Sequence, residues 1–132
     1  AGDPVAARLI LDCGVPLVRI PCMGVASHLL TTLPEIEGYL QGRGAVGDYL
    51  VQIFREYHSD QYARSKVIWD ISATAYLVNP EWVETELVPS PILTEQLTWA
   101  FDDARHQVRC ARLVDRDAIF KDLFRKLEAA QA

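Results

Sequence analysis

The sequence is poor in cysteine and has no long apolar run. Its three cysteines, Cys13, Cys22 and Cys110, form no CxxC pair, so neither a disulfide framework nor a zinc knuckle is indicated. We interpret them as small buried thiols of a cytoplasmic protein. The longest stretch without Asp, Glu, Lys or Arg covers residues 20–34. Because a membrane-spanning helix needs about 20 apolar residues, the sequence predicts no contact with a membrane.

Positive charge is also scarce. Thirteen Lys and Arg residues stand against 18 Asp and Glu residues, which gives a formal net charge of −5. Non-specific binding to nucleic acid requires a basic surface that displaces counterions from the phosphates. We therefore expect no nucleic-acid partner. The Walker loop, GxSxG and HExxH are absent from the sequence, so P-loop NTPases, serine hydrolases with a nucleophile elbow and zincins have no support.

Apolar side chains, in contrast, are plentiful. Half of the residues are hydrophobic and 23% are charged, and disordered chains lack this balance because they are poor in apolar residues. A chain of 132 residues fits one folded unit. We therefore predict a single domain over residues 1–132.

Helix and strand signals alternate along the first part of the chain, which is typical of an α/β sheet. Asp3-Pro4 has the form of a helix start, and Gly14 of its end. Helices are predicted at 4–13, from about 32 to 42, around 49–57, at 71–78 and over the final segment, where Asp115 and Asp117 lie in the first turn. Apolar faces are predicted on two of these helices: Tyr49, Leu50, Ile53, Phe54 and Tyr57 on the third, and Ile119, Phe120, Leu123, Phe124 and Leu127 on the last. Strands are predicted at 16–21, 67–69, 83–89, 92–100 and 107–114, the last three as an antiparallel hairpin or meander. A flexible break is predicted at Gly42, Gly44 and Gly47.

Asp70 is the first candidate functional residue. It follows the apolar run 67–69 and precedes the predicted helix 71–78, so its carboxylate is expected at the carboxyl edge of the sheet, where open α/β folds bind ligands. The alternative is an ordinary helix N-cap. Aromatic, amide and charged side chains also gather just upstream, between Tyr57 and Arg64, where the alternative is the exposed end of a helix.

Several segments carry a family resemblance. They are Ala1–Ala7 (AGDPVAA), Gly14–Leu17 (GVPL), Lys66–Asp70 (KVIWD), the residues Ala73, Ala75, Tyr76, Asn79 and Pro80, and Val114-Asp115. In this order they resemble the C-terminal portion of the inosine-uridine preferring nucleoside hydrolases. The resemblance implies an α/β fold: the C-terminal part of an open, mainly parallel sheet with flanking helices and a small antiparallel hairpin.

The same resemblance implies hydrolysis of the N-glycosidic bond of ribonucleosides, assisted by calcium. It makes Asp70 a metal ligand and Trp69, Tyr57, Gln61 and Tyr62 substrate-binding residues, and it assigns no catalytic residue within this chain. Calcium takes about six to eight oxygen ligands, and the family's aspartate-rich metal motif has no counterpart here. We therefore expect a missing N-terminal half or another chain to complete the site, and we expect a homo-oligomer.

One departure from the family affects the leaving group. Trp69 occupies the position at which the family commonly has a His that can protonate the departing base. Trp cannot act as an acid, although its ring can stack on a base. Two alternatives to the enzyme remain open. One is a catalytically silent nucleoside hydrolase-like module for assembly or ligand binding, and the other is an unrelated small α/β protein.

Overall fold

The computed structural model describes residues 2–130. The predicted domain 1–132 also includes Ala1, Gln131 and Ala132, which lie outside the described residues. The α-helices are α1 (Pro4–Asp12), α2 (Leu33–Leu40), α3 (Ala45–Glu56), α4 (Ile71–Val78) and α5 (Arg116–Ala129). The strands are β1 (Val18–Arg19), β2 (Leu30–Thr32), β3 (Ser65–Val67), β4 (Val83–Pro89), β5 (Ile92–Leu93), β6 (Trp99–Ala100) and β7 (Gln107–Val114). Within residues 2–130, every helix is too short or too polar to cross a membrane.

Side-chain caps explain where three of the helices begin. The Asp3 carboxylate accepts hydrogen bonds from the backbone N–H groups of Val5 and Ala6, both at 3.0 Å. Thr32 and Asp115 do the same at the starts of α2 and α5. Each cap satisfies N–H groups that have no partner inside the helix. The predicted starts of α1 and α2 are therefore confirmed.

The main sheet is mixed and has the strand order β1-β7-β4. β1 runs parallel to β7, with Val18 opposite Arg109, whereas β4 runs antiparallel to β7 over its whole length. The α/β class is confirmed. The sheet was predicted to be mainly parallel, but within residues 2–130 it contains one parallel pair, β1 and β7. β4 and β7 run antiparallel because the segment between them, which includes the β5–β6 hairpin, turns the chain back.

Two strand predictions were wrong in detail. The segment 92–100 is not one strand but a small hairpin in which β5 pairs with β6. Thr94 closes its turn, since its N–H donates to the carbonyl of Thr98 at 2.9 Å. The strand predicted at 67–69 lies at 65–67 and pairs antiparallel with β2, outside the main sheet. The residues of β2 were not predicted as a strand, because three residues are too few to show an alternating pattern.

The hydrophobic core lies between β4, β7 and the helices α2, α3 and α5. Its most deeply buried large side chains include Leu29, Leu40, Val83 and Phe120. Phe120 and Phe124 on α5 contact each other with ring centroids 5.6 Å apart. The predicted apolar face of α5 is therefore the face that builds the core. On α3 the prediction was right only in part, because Phe54 is buried whereas Tyr49, Ile53 and Tyr57 are exposed, and the buried Val51 lies outside the predicted face.

Arg116, the first residue of α5, joins three elements through a partly buried polar cluster. Its guanidinium donates to the carbonyl of Leu30 at 2.8 and 3.0 Å and pairs with the carboxylate of Glu35. Thr31, which is 1% exposed, donates to the same carboxylate at 2.7 Å. Burial lowers the pKa of Arg116, but its hydrogen bonds to Glu35 and Asp117 outweigh burial and raise that pKa overall. Arg116 therefore stays charged and ties α5 to α2 and β2.

We predict that Arg116→Met lowers the free energy of unfolding by about 2–3 kcal/mol, because the carboxylate of Glu35 and the carbonyl of Leu30 lose a charged donor. The matched control is Arg112→Met. Arg112 pairs with Glu86 at 2.7 Å, but the two side chains are 62% and 44% exposed, so we expect a loss below about 1 kcal/mol. Chemical denaturation of both variants measures the difference, and equal losses would contradict a special role for Arg116.

Candidate functional site

Asp70 lies at the start of α4 without acting as its cap. Its backbone is helical, with φ −67° and ψ −23°, and its side chain makes no capping hydrogen bond. Instead, Ser72 closes this turn, since its hydroxyl donates to the carbonyl of Trp69 at 2.7 Å. The alternative of an ordinary N-cap is therefore not supported. The carboxylate of Asp70 is exposed and available to a ligand.

A cavity of about 240 Å³ opens beside Asp70. Its lining comes from two places: the carboxyl-terminal side of β1, and the start of α4. The lining residues are Val18, Ile20, Cys22, Ala26, Trp69, Asp70, Ser72 and Ala73. Asp70 was expected at the carboxyl end of its own preceding strand. In the structure that strand, β3, belongs to the separate β2–β3 ribbon, and β1 supplies the strand end that faces Asp70.

The walls of this cavity are mostly apolar, with one carboxylate from Asp70. Trp69 is 39% exposed and offers a ring face or its N–H group. Within residues 2–130, no group of three or more His, Cys, Asp and Glu side chains is placed to hold a metal ion. Since calcium takes about six to eight oxygen ligands, the described residues do not form a calcium site by themselves.

Cys22, in the cavity lining, corrects the prediction that all three cysteines are buried. Cys13 and Cys22 are exposed, and only Cys110 on β7 is buried. The prediction rested on the residue type alone: Cys13 ends α1 as its C-cap, and Cys22 lies outside any helix or strand.

Tyr57 and Tyr62, predicted on the base side of the site, lie apart from this cavity. Tyr57 follows the last residue of α3, is 61% exposed, and packs under the ammonium group of Lys66, which lies 3.0 Å from the ring centroid. Tyr62 is 90% exposed. Neither tyrosine lines the cavity beside Asp70.

Gln61 closes the carboxyl-terminal end of α3. Its amide nitrogen lies within hydrogen-bond distance of three carbonyl oxygens, those of Phe54 and Arg55 at 3.2 Å and that of His58 at 2.8 Å. Carbonyl groups in the last turn of a helix have no partner inside the helix, so the side chain takes the place of a C-cap. The Gln61 amide is therefore used to hold the loop 57–64 against α3.

The segment that leads from α2 into α3 has the spacing GxGxxG, at Gly42, Gly44 and Gly47. This spacing marks a dinucleotide site only when it follows a strand in a βαβ unit, and here it follows α2. The carboxylate of Asp48 also accepts a hydrogen bond from the N–H of Gly42 at 2.7 Å. The positive φ angles of Gly42 and Gly44 fit the predicted break, whereas Gly47 is buried within α3, so the break does not extend to it.

The structure thus brings Trp69 and Asp70 to one cavity and leaves Tyr57, Gln61 and Tyr62 outside its lining. Val18, Ile20 and Ser72 are among the other lining residues and were not predicted as site residues. The predicted strand 16–21 includes Val18 and Ile20, but the sequence does not show that this strand lies beside α4. That position depends on the pairing of β1 with β7, between residues about 90 positions apart.

Comparisons with known proteins find similarity among solved structures. No family model matches the sequence, and no curated protein matches it either. Among solved structures, the chain is similar to a plant nucleoside hydrolase, with a TM-score of 0.77 and 20% sequence identity over 97% of this chain. The match covers 46% of that enzyme, so the chain spans about half of its length. At this identity the likeness shows the fold: residues 2–130 adopt a nucleoside hydrolase-like α/β fold.

Proposed function

We propose that this chain is the C-terminal portion of a nucleoside hydrolase that cleaves the N-glycosidic bond of ribonucleosides. The observation that carries the proposal is the position of Asp70. The carboxylate of Asp70 is exposed and makes no capping hydrogen bond to α4. In this nucleoside hydrolase-like fold, it lines a cavity at the carboxyl end of the parallel strand β1. Ligands of open α/β sheets bind at such strand ends.

The chemistry of the reaction suits a carboxylate at this position. Cleavage of a glycosidic bond passes through a cation that resembles an oxocarbenium ion, and a nearby negative charge stabilises it. In this proposal, Asp70 faces the ribose, and the ring of Trp69 in the same cavity stacks on the base. Since Trp69 cannot donate a proton as an acid, the departing base takes its proton from water or from a group outside this chain.

Calcium remains part of the proposal, with Asp70 as one ligand and with the other oxygen ligands supplied from outside residues 2–130. When bound, calcium would supply charge and orientation to a water molecule and to ribose hydroxyl groups. The one carboxylate in the cavity also favours a second candidate, a nucleoside hydrolase-like module that binds a ligand without turnover. The enzyme hydrolyses nucleosides once the N-terminal half of the fold is present, whereas the silent module binds them without hydrolysis.

We further propose that an N-terminal half of the fold covers the free edge of β1. β1 has a described neighbour, β7, on one side only, and an unpaired parallel edge favours addition of another strand. Helix α4, which lines the cavity together with β1, contains no charged residue, and its Leu77 is 82% exposed. Helix α1 exposes Val5 and Leu9 by 72% and 65%. In this proposal, the N-terminal half covers these apolar side chains.

The first prediction tests catalysis in the whole protein or complex that contains this chain. We expect release of ribose from inosine or uridine, and we expect Asp70→Asn to lower kcat/KM by at least about 100-fold, since it removes a charge that faces the reacting sugar. Asp103→Asn, in an exposed turn, is the matched control and should retain full activity. If the unsubstituted whole protein binds nucleosides without hydrolysing them, the silent module is correct instead.

A second prediction separates the two roles of Gln61. Because its amide caps α3, Gln61→Ala should lower the free energy of unfolding by about 1–2 kcal/mol, whereas Tyr62→Phe should leave it unchanged. If these side chains also contact the base in the whole enzyme, KM rises in both variants while kcat stays the same. Thermal unfolding and steady-state kinetics measure the two effects. An unchanged melting temperature for Gln61→Ala would refute the capping role.

A third prediction concerns the free edge. The 132-residue chain alone should self-associate through its exposed apolar surfaces, and Leu77→Lys should shift it toward the monomer because a charge cannot be buried there without a partner. Val46→Lys, at a 58% exposed apolar position on α3, is the control and should not change association. Sedimentation velocity measures the mass. A strictly monomeric chain at high concentration would argue against an uncovered interface.

A further inference from the structure

A second cavity, of about 320 Å³, lies between α2, α3, α5 and Ile68. Of its lining residues, Tyr57 alone was predicted to bind the nucleoside. Its lining is almost entirely hydrocarbon or aromatic. The residues are Ile36, Leu40, Leu50, Ile53, Phe54, Tyr57, Lys66, Ile68, Phe120, Leu123, Phe124 and Leu127. It shares no lining residue with the cavity beside Asp70. We call it the apolar groove.

The groove has a buried floor and an open rim. Leu40, Phe120 and Phe124 in the floor are at most 6% exposed, whereas Ile53 and Tyr57 at the rim are 41% and 61% exposed. A molecule can therefore enter from solvent and reach the core. An apolar cavity of about 150 Å³ is already large enough to take up benzene, and pockets for small molecules start near 300 Å³.

Lys66 supplies the charge at this site. Its ammonium group rests on the face of Tyr57, and within residues 2–130 no carboxylate lies within salt-bridge distance of it. Apart from the hydroxyl group of Tyr57, it is the one polar side-chain group among the lining residues. An ammonium group beside an apolar cavity complements a ligand with a hydrocarbon body and one negative end.

We propose that the apolar groove binds a small amphipathic carboxylate, such as a short-chain or medium-chain fatty acid. The hydrocarbon body lies between α3 and α5, and the carboxylate accepts hydrogen bonds from Lys66 at the rim. The volume is at the lower end of the range for small-molecule sites, which favours a short chain over a long-chain lipid. The site depends on the fold and on Lys66, and it includes neither Trp69 nor Asp70.

Isothermal titration of the native protein with hexanoate, octanoate, 1-octanol and octylammonium tests the proposal. We expect one octanoate per chain, and each added methylene should tighten binding by about fourfold. Octanol should bind more weakly than octanoate, and octylammonium more weakly still. The absence of saturable octanoate binding, or equal affinity for octanoate and octylammonium, would overturn the proposal.

Two variants test the role of charge at the rim. Lys66→Met should weaken octanoate binding by about tenfold, to the level of octanol, because it removes the charged donor. Lys121→Met, on α5 outside the groove, is the control and should have no effect. If Lys66→Met does not fold, Ile53→Glu at the exposed rim should reverse the preference, so that octylammonium binds more tightly than octanoate. An unchanged preference in a folded Lys66 or Ile53 variant would overturn the proposal.

Discussion

The structure depends on β7, which pairs with a strand on each side. Ala111 and Val114 of this strand are buried in the hydrophobic core, and Val108 is buried as well. On one side β4 follows β7 from end to end, and on the other β1 holds a parallel register of only two residues. This two-residue pairing sets the position of β1, and with it Val18 and Ile20, which line the cavity beside Asp70. The candidate site therefore rests on a small number of backbone hydrogen bonds to one central strand.

Local chemistry allowed the sequence to predict most of the elements. Asp3 and Thr32 mark helix starts because their oxygen atoms satisfy free N–H groups, and Asp70 was placed correctly at the start of α4. The predictions failed for two different reasons. A local turn, closed by hydrogen bonds between Thr94 and Thr98, divides the strand predicted at 92–100, and the residue pattern did not reveal it. β3, in contrast, pairs with the distant strand β2 rather than with the main sheet, and its periodicity does not identify that partner.

The same distinction applies to the candidate site. Trp69 and Asp70 are adjacent in sequence and share a cavity, as local reasoning expects. Tyr57, Gln61 and Tyr62 have suitable side chains for recognising a base, but whether they reach a substrate depends on tertiary position. The structure places the amide of Gln61 against helix carbonyls and leaves Tyr62 exposed. Their substrate-binding role stays a prediction that depends on the part of the site outside this chain.

The cap formed by Gln61 has a mechanical consequence. Since the amide lies within hydrogen-bond distance of carbonyls of α3 and of the carbonyl of His58 in the loop that follows, the helix end and the start of the loop are tied together. The position of Tyr62, one residue beyond Gln61, therefore depends on where α3 packs. A substitution in the buried face of α3 can thus alter the placement of this tyrosine without touching it.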